Sequence, residues 1–367
     1  MRIVYFTHSL TSCWNHGNAH FLRGLLRELG ALGHDVTACQ PANGWSEQNL
    51  VADHGEAPLV RFRRDFPELS TRTYDTVEAA CRTMHGADLV IVHEWTEPDV
   101  VAVIGAQRRR GHFILLFHDT HHRAVSDPTF LRRMDLGDYD GVLAFGESLA
   151  EIYRRAGWGQ RAYVFHEAAD TRLFRPLVAK AGRDGLVWIG NWGDDERTEE
   201  LVEFLLAPAQ ASGLQLDIHG VRYPQTAREV LARHGAHYLS WIANVDVPAA
   251  FTKHLATVHV PRRYYASLLP GIPTIRVFEA LACGIPLVCA PWADSEGLFT
   301  LGRDYLVAAN GPQMTAALRA VANDADLRAS LIASGLSAIR ARHTCRHRAE
   351  QLLAIACTHR PELAGAA

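Results

Sequence analysis

Short, nearly continuous apolar runs alternate along the chain with longer segments in which apolar residues recur at helical spacing. Arg2 to Thr7 reads as a strand. After the polar loop Ser9 to Gly17, the positions Phe21, Leu22, Leu25, Leu26 and Leu29 mark one face of a helix that Gly33 ends. Val36 to Cys39, Asp88 to Val92, Phe113 to Phe117 and Gly141 to Phe145 are further runs rich in Val, Ile, Leu and Phe, as strands buried on both faces require. Helices fit between them, so the pattern predicts crossover units and a doubly wound, mostly parallel sheet.

The rhythm restarts after Pro176. A polar stretch from Lys180 to Gly185 leads into a strand at Leu186 to Gly190, a helix over Glu196 to Ala211 and a strand at Leu214 to His219. Ala256 to Val260 and Pro286 to Ala290 complete a second parallel sheet. From Pro312 onward the spacing of Met314, Leu318, Val321, Leu327, Leu331, Leu336 and Ile339 is helical. The expected fold class is therefore α/β, with two Rossmann-like halves joined near residue 175. Ligands of such halves bind outside the carboxyl ends of the strands.

Composition narrows the function classes. The 367 residues are 48% hydrophobic and 21% charged, which excludes a disordered or collagen-like chain and suits two domains. Thirty-seven basic against 40 acidic residues give a net charge of −3, against nucleic-acid or acidic-membrane partners recruited by overall charge. The seven cysteines are an odd number without C-x-x-C pairs, as expected of a reducing, cytoplasmic location. The first residues are too short an apolar run for a signal sequence, and no transmembrane segment is expected.

Three stretches carry candidate chemistry. Ser12 to His20 joins the first strand to the first helix, where Gly17 and Asn18 leave room for an anionic ligand at the helix start. Its single glycine is not a dinucleotide fingerprint. The plain alternative is that Asn18 merely caps the helix. His118-Asp119-Thr120-His121-His122 closes a strand. Its His-Asp pair suits sugar orientation or proton transfer, whereas a zinc reading has no established ligand spacing behind it. Pro270 to Pro286 brackets a short helix with Thr274 as N-cap and Gly284 as its stop. Arg276 in the first turn makes a phosphate site by dipole, amide and guanidinium together. Glu279, amid Val277, Phe278, Ala280 and Leu281, needs a donor such as two neighbouring hydroxyls, or else it is a first-turn acid complementing the helix dipole.

The segment Phe278-Glu279-Ala280-Leu281-Ala282-Cys283-Gly284-Ile285-Pro286 resembles the Glu-Ala-Met-Ala-x-Gly-x-Pro segment of GT-B glycosyltransferases, particularly retaining family 4. Asp170 to Pro176 is similar to the hinge between the GT-B domains, and His118-Asp119 to the pair that contacts the donor sugar. Trp14 to His20, Trp188 to Trp192, Thr274 to Glu279 and Ala341 to Cys345 resemble the glycosyltransferases related to the spore-maturation protein CgeB. The resemblance implies an N-terminal acceptor domain over 1–175, a nucleotide-sugar donor domain over 176–345 and a helix over 346–367 returning to the first. It implies a metal-independent enzyme without cofactor that moves a sugar from a nucleoside-diphosphate sugar, UDP by family, to a hydroxyl-bearing acceptor. Implied catalytic residues are His16, His118 and Asp119. Gly17, Asn18, Arg197, Trp241, Ile242, Arg262, Arg263, Thr274, Ile275, Arg276 and Glu279 are the implied donor contacts, with Glu279 on the ribose. Gly271 stands where family 4 carries a second Glu. A nucleotide-sugar 2-epimerase, a non-catalytic nucleotide-sugar-binding protein and a metal-dependent hydrolase are the alternatives.

Overall fold

A computed structural model describes residues 1–15, 17–157, 159, 161–178, 182–193 and 195–366. They form two compact units, one of residues 1–167 with 345–367 and the other of 168–344.

The first unit is built on a parallel sheet of β1 (Arg2–Phe6), β2 (Asp35–Pro41), β3 (Ser70–Tyr74), β4 (Leu89–His93), β5 (Ile114–Asp119), β6 (Gly141–Ala144) and β7 (Ala162–Val164). Their spatial order is β3-β2-β1-β4-β5-β6-β7, which reverses direction between β1 and β4. The central strands are buried along their whole length; β4 and β5 are apolar through Val92 and Phe117 and end in the buried His93 and His118-Asp119. The sequence pattern did not foresee β3, because as an edge strand it exposes Ser70 to Thr73 and has no apolar run. The helix Cys345–His359 belongs to this unit. It buries Ala349, Leu352 and Ile355 and packs along the helix Ala19–Ala31. Each such Leu or Ile contributes roughly 1.5–3 kcal/mol.

The second unit carries β8 (Leu186–Ile189), β9 (Leu216–His219), β10 (His237–Tyr238), β11 (Ala256–His259), β12 (Leu287–Cys289) and β13 (Leu306–Val307). They are parallel in the order β10-β9-β8-β11-β12-β13, with the reversal between β8 and β11. The helix expected over Glu196 to Ala211 runs from Thr198 to Ser212. Its turn Val202–Leu206 is widened to π geometry just before Pro208, which lacks the N–H a regular turn would use. The chain passes between units at Glu167 and Ala168, before the punctuation at Pro176. Segment 168–176 is fastened to the second unit: the Ala169 N–H donates to the His343 carbonyl at 2.9 Å, and Phe174 is fully buried.

Candidate functional site

In the second unit, the loops leaving β8 and β11 meet at the sheet's reversal point, where an open α/β sheet offers its ligand crevice. A pocket there is lined by Trp188, Arg197, His259, Val260, Thr274 and Arg276 among others. Thr274 has extended backbone and precedes the helix Ile275–Cys283, which ends at Gly284 in the left-handed conformation with φ 63°. Every residue of this helix except Arg276 is buried, so it is held by packing on all sides. The Thr274 side chain makes no capping bond. Its hydroxyl lies 3.1 Å from His259 Nε2, on the last residue of β11.

Arg197 lies with its guanidinium 5.0 Å from the Trp188 ring centre and donates to the carbonyls of Asn191 (2.8 Å) and Val260 (3.1 Å). Its Nε has no acceptor among the described residues. Burial, and then the charge of Arg262, with Arg276 adding to it, push its pKa down to about 9. An anion in the pocket would reverse that penalty.

The other basic candidates have carboxylate partners. Arg262 pairs with Glu196, and Arg263 with Glu200 (2.5 Å) and Glu199 (3.4 Å). Arg276 pairs with Glu279, which is fully buried. Ile275 is buried in the first turn of the same helix. Trp241 and Ile242 stand half-buried in the loop after β10, outside the wall of this pocket. At Gly271 φ is +86° and a Cβ would come within 2.6 Å of Ser295 Oγ, so a second Glu has no place there.

In the first unit, a buried polar cluster occupies the carboxyl ends of β1, β4 and β5. Asn18 does not cap its helix; its Nδ2 donates to Thr120 Oγ1 at 2.7 Å, which in turn donates to Glu94 Oε1 at 3.2 Å. His118 is fully buried, with Nδ1 bonded to the Tyr5 hydroxyl, Nε2 without a partner among the described residues, and Phe21 and Phe165 against its ring. Asp119 accepts from Tyr153 Oη (2.6 Å) and from the His121 N–H (2.9 Å). Burial raises both Glu94 and Asp119 to about 8; Arg123 opposes the rise at both, and Glu94 adds to it at Asp119. Burial and Arg123 lower His93 to about 3.

His93 and Glu94 were not singled out from the sequence. Their signal was available: His93-Glu94 closes one apolar run as His118-Asp119 closes the next, and the register sets His93 directly beside His118. Gly17 lies in the loop ahead of the helix, and His16 lies outside the described residues. His122 Nδ1 is bonded to Ser126 Oγ at 2.8 Å, and its ring lies 4.0 Å from that of His121. No group of three or more His, Cys, Asp or Glu among the described residues is arranged to hold a metal ion. None of the cysteines among the described residues is in a disulfide. No described helix is long and apolar enough to cross a membrane.

Residues 172–354 match the glycosyl transferase-like family model. No curated protein matches the chain in sequence. Among solved structures, the sucrose-phosphate synthase of Thermosynechococcus elongatus is 16% identical with a TM-score of 0.69, all of both chains being covered. HepE of Anabaena, in complex with UDP-glucose, is 14% identical with a TM-score of 0.68 over 96% of this chain and 98% of that one. T4 phage β-glucosyltransferase is 12% identical with a TM-score of 0.60 over 96% and 97%. The two parallel-sheet units are those of the GT-B fold.

Proposed function

We propose, from the match of residues 172–354 to the glycosyl transferase-like family model and from the GT-B fold, that this chain is a glycosyltransferase that transfers a sugar from a UDP-sugar to an acceptor hydroxyl with retention of configuration. Arg197 carries the reading: a largely desolvated cation, with one N–H unsatisfied among the described residues, lining the same pocket as Arg276 and Thr274. The donor diphosphate supplies the missing acceptors. Arg197, Arg276 and the first-turn amides of the helix Ile275–Cys283 hold it, and Glu279 accepts hydrogen bonds from the ribose 2′ and 3′ hydroxyls. UDP is supported by the solved complex of HepE with UDP-glucose.

In the reaction the bond from the sugar C1 to the phosphate oxygen breaks and a bond from C1 to the acceptor oxygen forms. The acceptor's proton passes to the departing diphosphate. The two guanidinium groups neutralise the charge that develops on that diphosphate, so we assign no metal and no cofactor. Arg262 and Arg263, neutralised by their glutamates, shape the loop around Arg197. In the first unit we place the acceptor at the carboxyl ends of β1, β4 and β5. Asp119 orients it, while His118, enclosed by aromatic rings, acts by positioning its neighbours.

The test is UDP release from a panel of UDP-sugars, with the carbohydrate products identified. Release above background that is lost in Glu279→Ala supports the reading. No release from any nucleoside-diphosphate sugar, or an epimerised donor formed without acceptor, contradicts it.

A further inference from the structure

We infer that His259 is a positioning residue that fixes the hydroxyl of Thr274 as a hydrogen-bond donor to the donor phosphate. The inference rests on the proposed function, since it needs an anion in the pocket that both residues line.

Counting hydrogens on the two side chains fixes the direction of their bond. His259 is almost completely buried, and only Nε2 has a partner: Thr274 Oγ1, at 3.1 Å. Nδ1 is buried and has none among the described residues. Burial and the charge of Arg197 keep the ring neutral, so it carries one hydrogen. That hydrogen belongs on Nε2. Were it on Nδ1, a buried N–H would go unsatisfied, whereas a bare Nδ1 lone pair is favoured by the nearby Arg197 cation. Nε2 therefore donates to Thr274 Oγ1, and the threonine must send its own hydrogen elsewhere. It does not cap its helix, and a hydroxyl makes no use of its proton in capping, where its oxygen accepts from a backbone N–H. Thr274 stands at the N-terminus of a fully packed helix, beside Arg276, and a phosphate oxygen is the acceptor that this environment favours. The histidine thus converts an ambivalent hydroxyl into a donor of set polarity.

The test is titration of UDP and of uridine into wild type, Thr274→Val, Thr274→Ser, His259→Leu, His259→Gln and the Thr274→Val/His259→Leu double variant. Valine removes the hydroxyl without losing a cap, and Gln can reproduce the Nε2–H donor. Expected for Thr274→Val is about tenfold weaker UDP binding with uridine unchanged, and recovery in Thr274→Ser. His259→Leu should weaken UDP similarly and His259→Gln much less. The double variant should be no worse than Thr274→Val, because the histidine acts through the threonine. Wild-type UDP affinity in Thr274→Val would overturn the inference, and so would multiplying losses in the double variant. If wild type binds no nucleoside diphosphate, the functional reading itself falls and this inference with it. If His259→Leu does not fold, unchanged UDP affinity in Thr274→Val still overturns the inference, and His259→Gln, in which UDP binding should stay close to wild type, still reads the role of the histidine.

Discussion

The guanidinium of Arg276 donates to the carboxylate of Glu279 one helical turn further along, so the residue assigned to the phosphates and the residue assigned to the ribose hold each other. Arg276 is the half-exposed member and Glu279 the buried one. A nucleotide that engages both must draw the guanidinium toward its phosphates and put its own ribose hydroxyls against the carboxylate. One helix then serves two parts of one ligand because the ligand replaces a pair that already exists.

Removing the cation alone should therefore cost stability before any ligand is added. Arg276→Met is expected to destabilise the protein by about 1–3 kcal/mol, because a buried carboxylate loses a charged donor. Adding Glu279→Gln should recover part of the loss. Thermal unfolding of the three forms checks this; equal midpoints for Arg276→Met and wild type would deny the pair a structural role.

Glu279→Ala should lower kcat/KM for the donor by roughly 10², the equivalent of two hydrogen bonds to an ionised group at about 1.5 kcal/mol each. The same change should erase the preference for ribose over 2′-deoxyribose nucleotides, because the variant has no carboxylate oxygen to leave unpaired. A preference that survives the substitution would assign Glu279 to the helix alone.

The first unit should show its buried carboxyls in a pH profile. Glu94 ionises at about 8 when folded and at its ordinary 4.5 when unfolded, so between these values the folded state holds the extra proton. Its contribution to stability is then present below about pH 4.5 and lost progressively as pH rises toward 8. Glu94→Gln lacks this loss. Comparing unfolding midpoints of variant and wild type from pH 5 to 9 cancels the buried histidines, and the variant should gain on wild type up to about pH 8. A constant difference would mean that Glu94 is already ionised at pH 5.

Gly220 tests the close approach of the β8 and β9 ends. A Cβ there would lie 2.3 Å from the Gly190 carbonyl oxygen and 2.6 Å from the Tyr223 ring, so Gly220→Ala must displace the backbone next to Arg197. It should lower both the unfolding midpoint and UDP affinity. Gly30→Ala, inside the helix Ala19–Ala31 with nothing within 4 Å, should be neutral or stabilising by about 0.5–1 kcal/mol. Equal behaviour of the two variants would contradict the packing described.

The legible part of this fold is the part that is buried on both faces. β1, β4 and β5 announce themselves by runs of apolar residues that lie between two helical layers, whereas β3 is an exposed edge and β10 and β13 are two residues each, too short to show a period. Thr274, Arg276 and Glu279 were readable because Pro273 and Gly284 frame their helix and polar residues stand out inside it. His259 was not: it sits at the end of its strand, where a single polar residue reads as the strand's edge, and it acquires its meaning from a partner distant in sequence, Thr274. Glu94 left a signal in the polar pair it makes with His93, but its partner Thr120 is distant in sequence. The pairing of Arg262 with Glu196 and of Arg263 with Glu200 was equally hidden, since contacts across more than sixty residues leave no periodicity.

Isothermal titration of UDP and uridine into wild type and Arg197→Met shows whether the second unit holds a nucleoside diphosphate through the charge of Arg197. Methionine keeps an unbranched apolar stem against Trp188 and removes the guanidinium. UDP should bind wild type at least tenfold more tightly than it binds Arg197→Met, while uridine binds both alike. Equal UDP affinity in the two proteins, or an equal loss for UDP and uridine, would remove Arg197 from the diphosphate site.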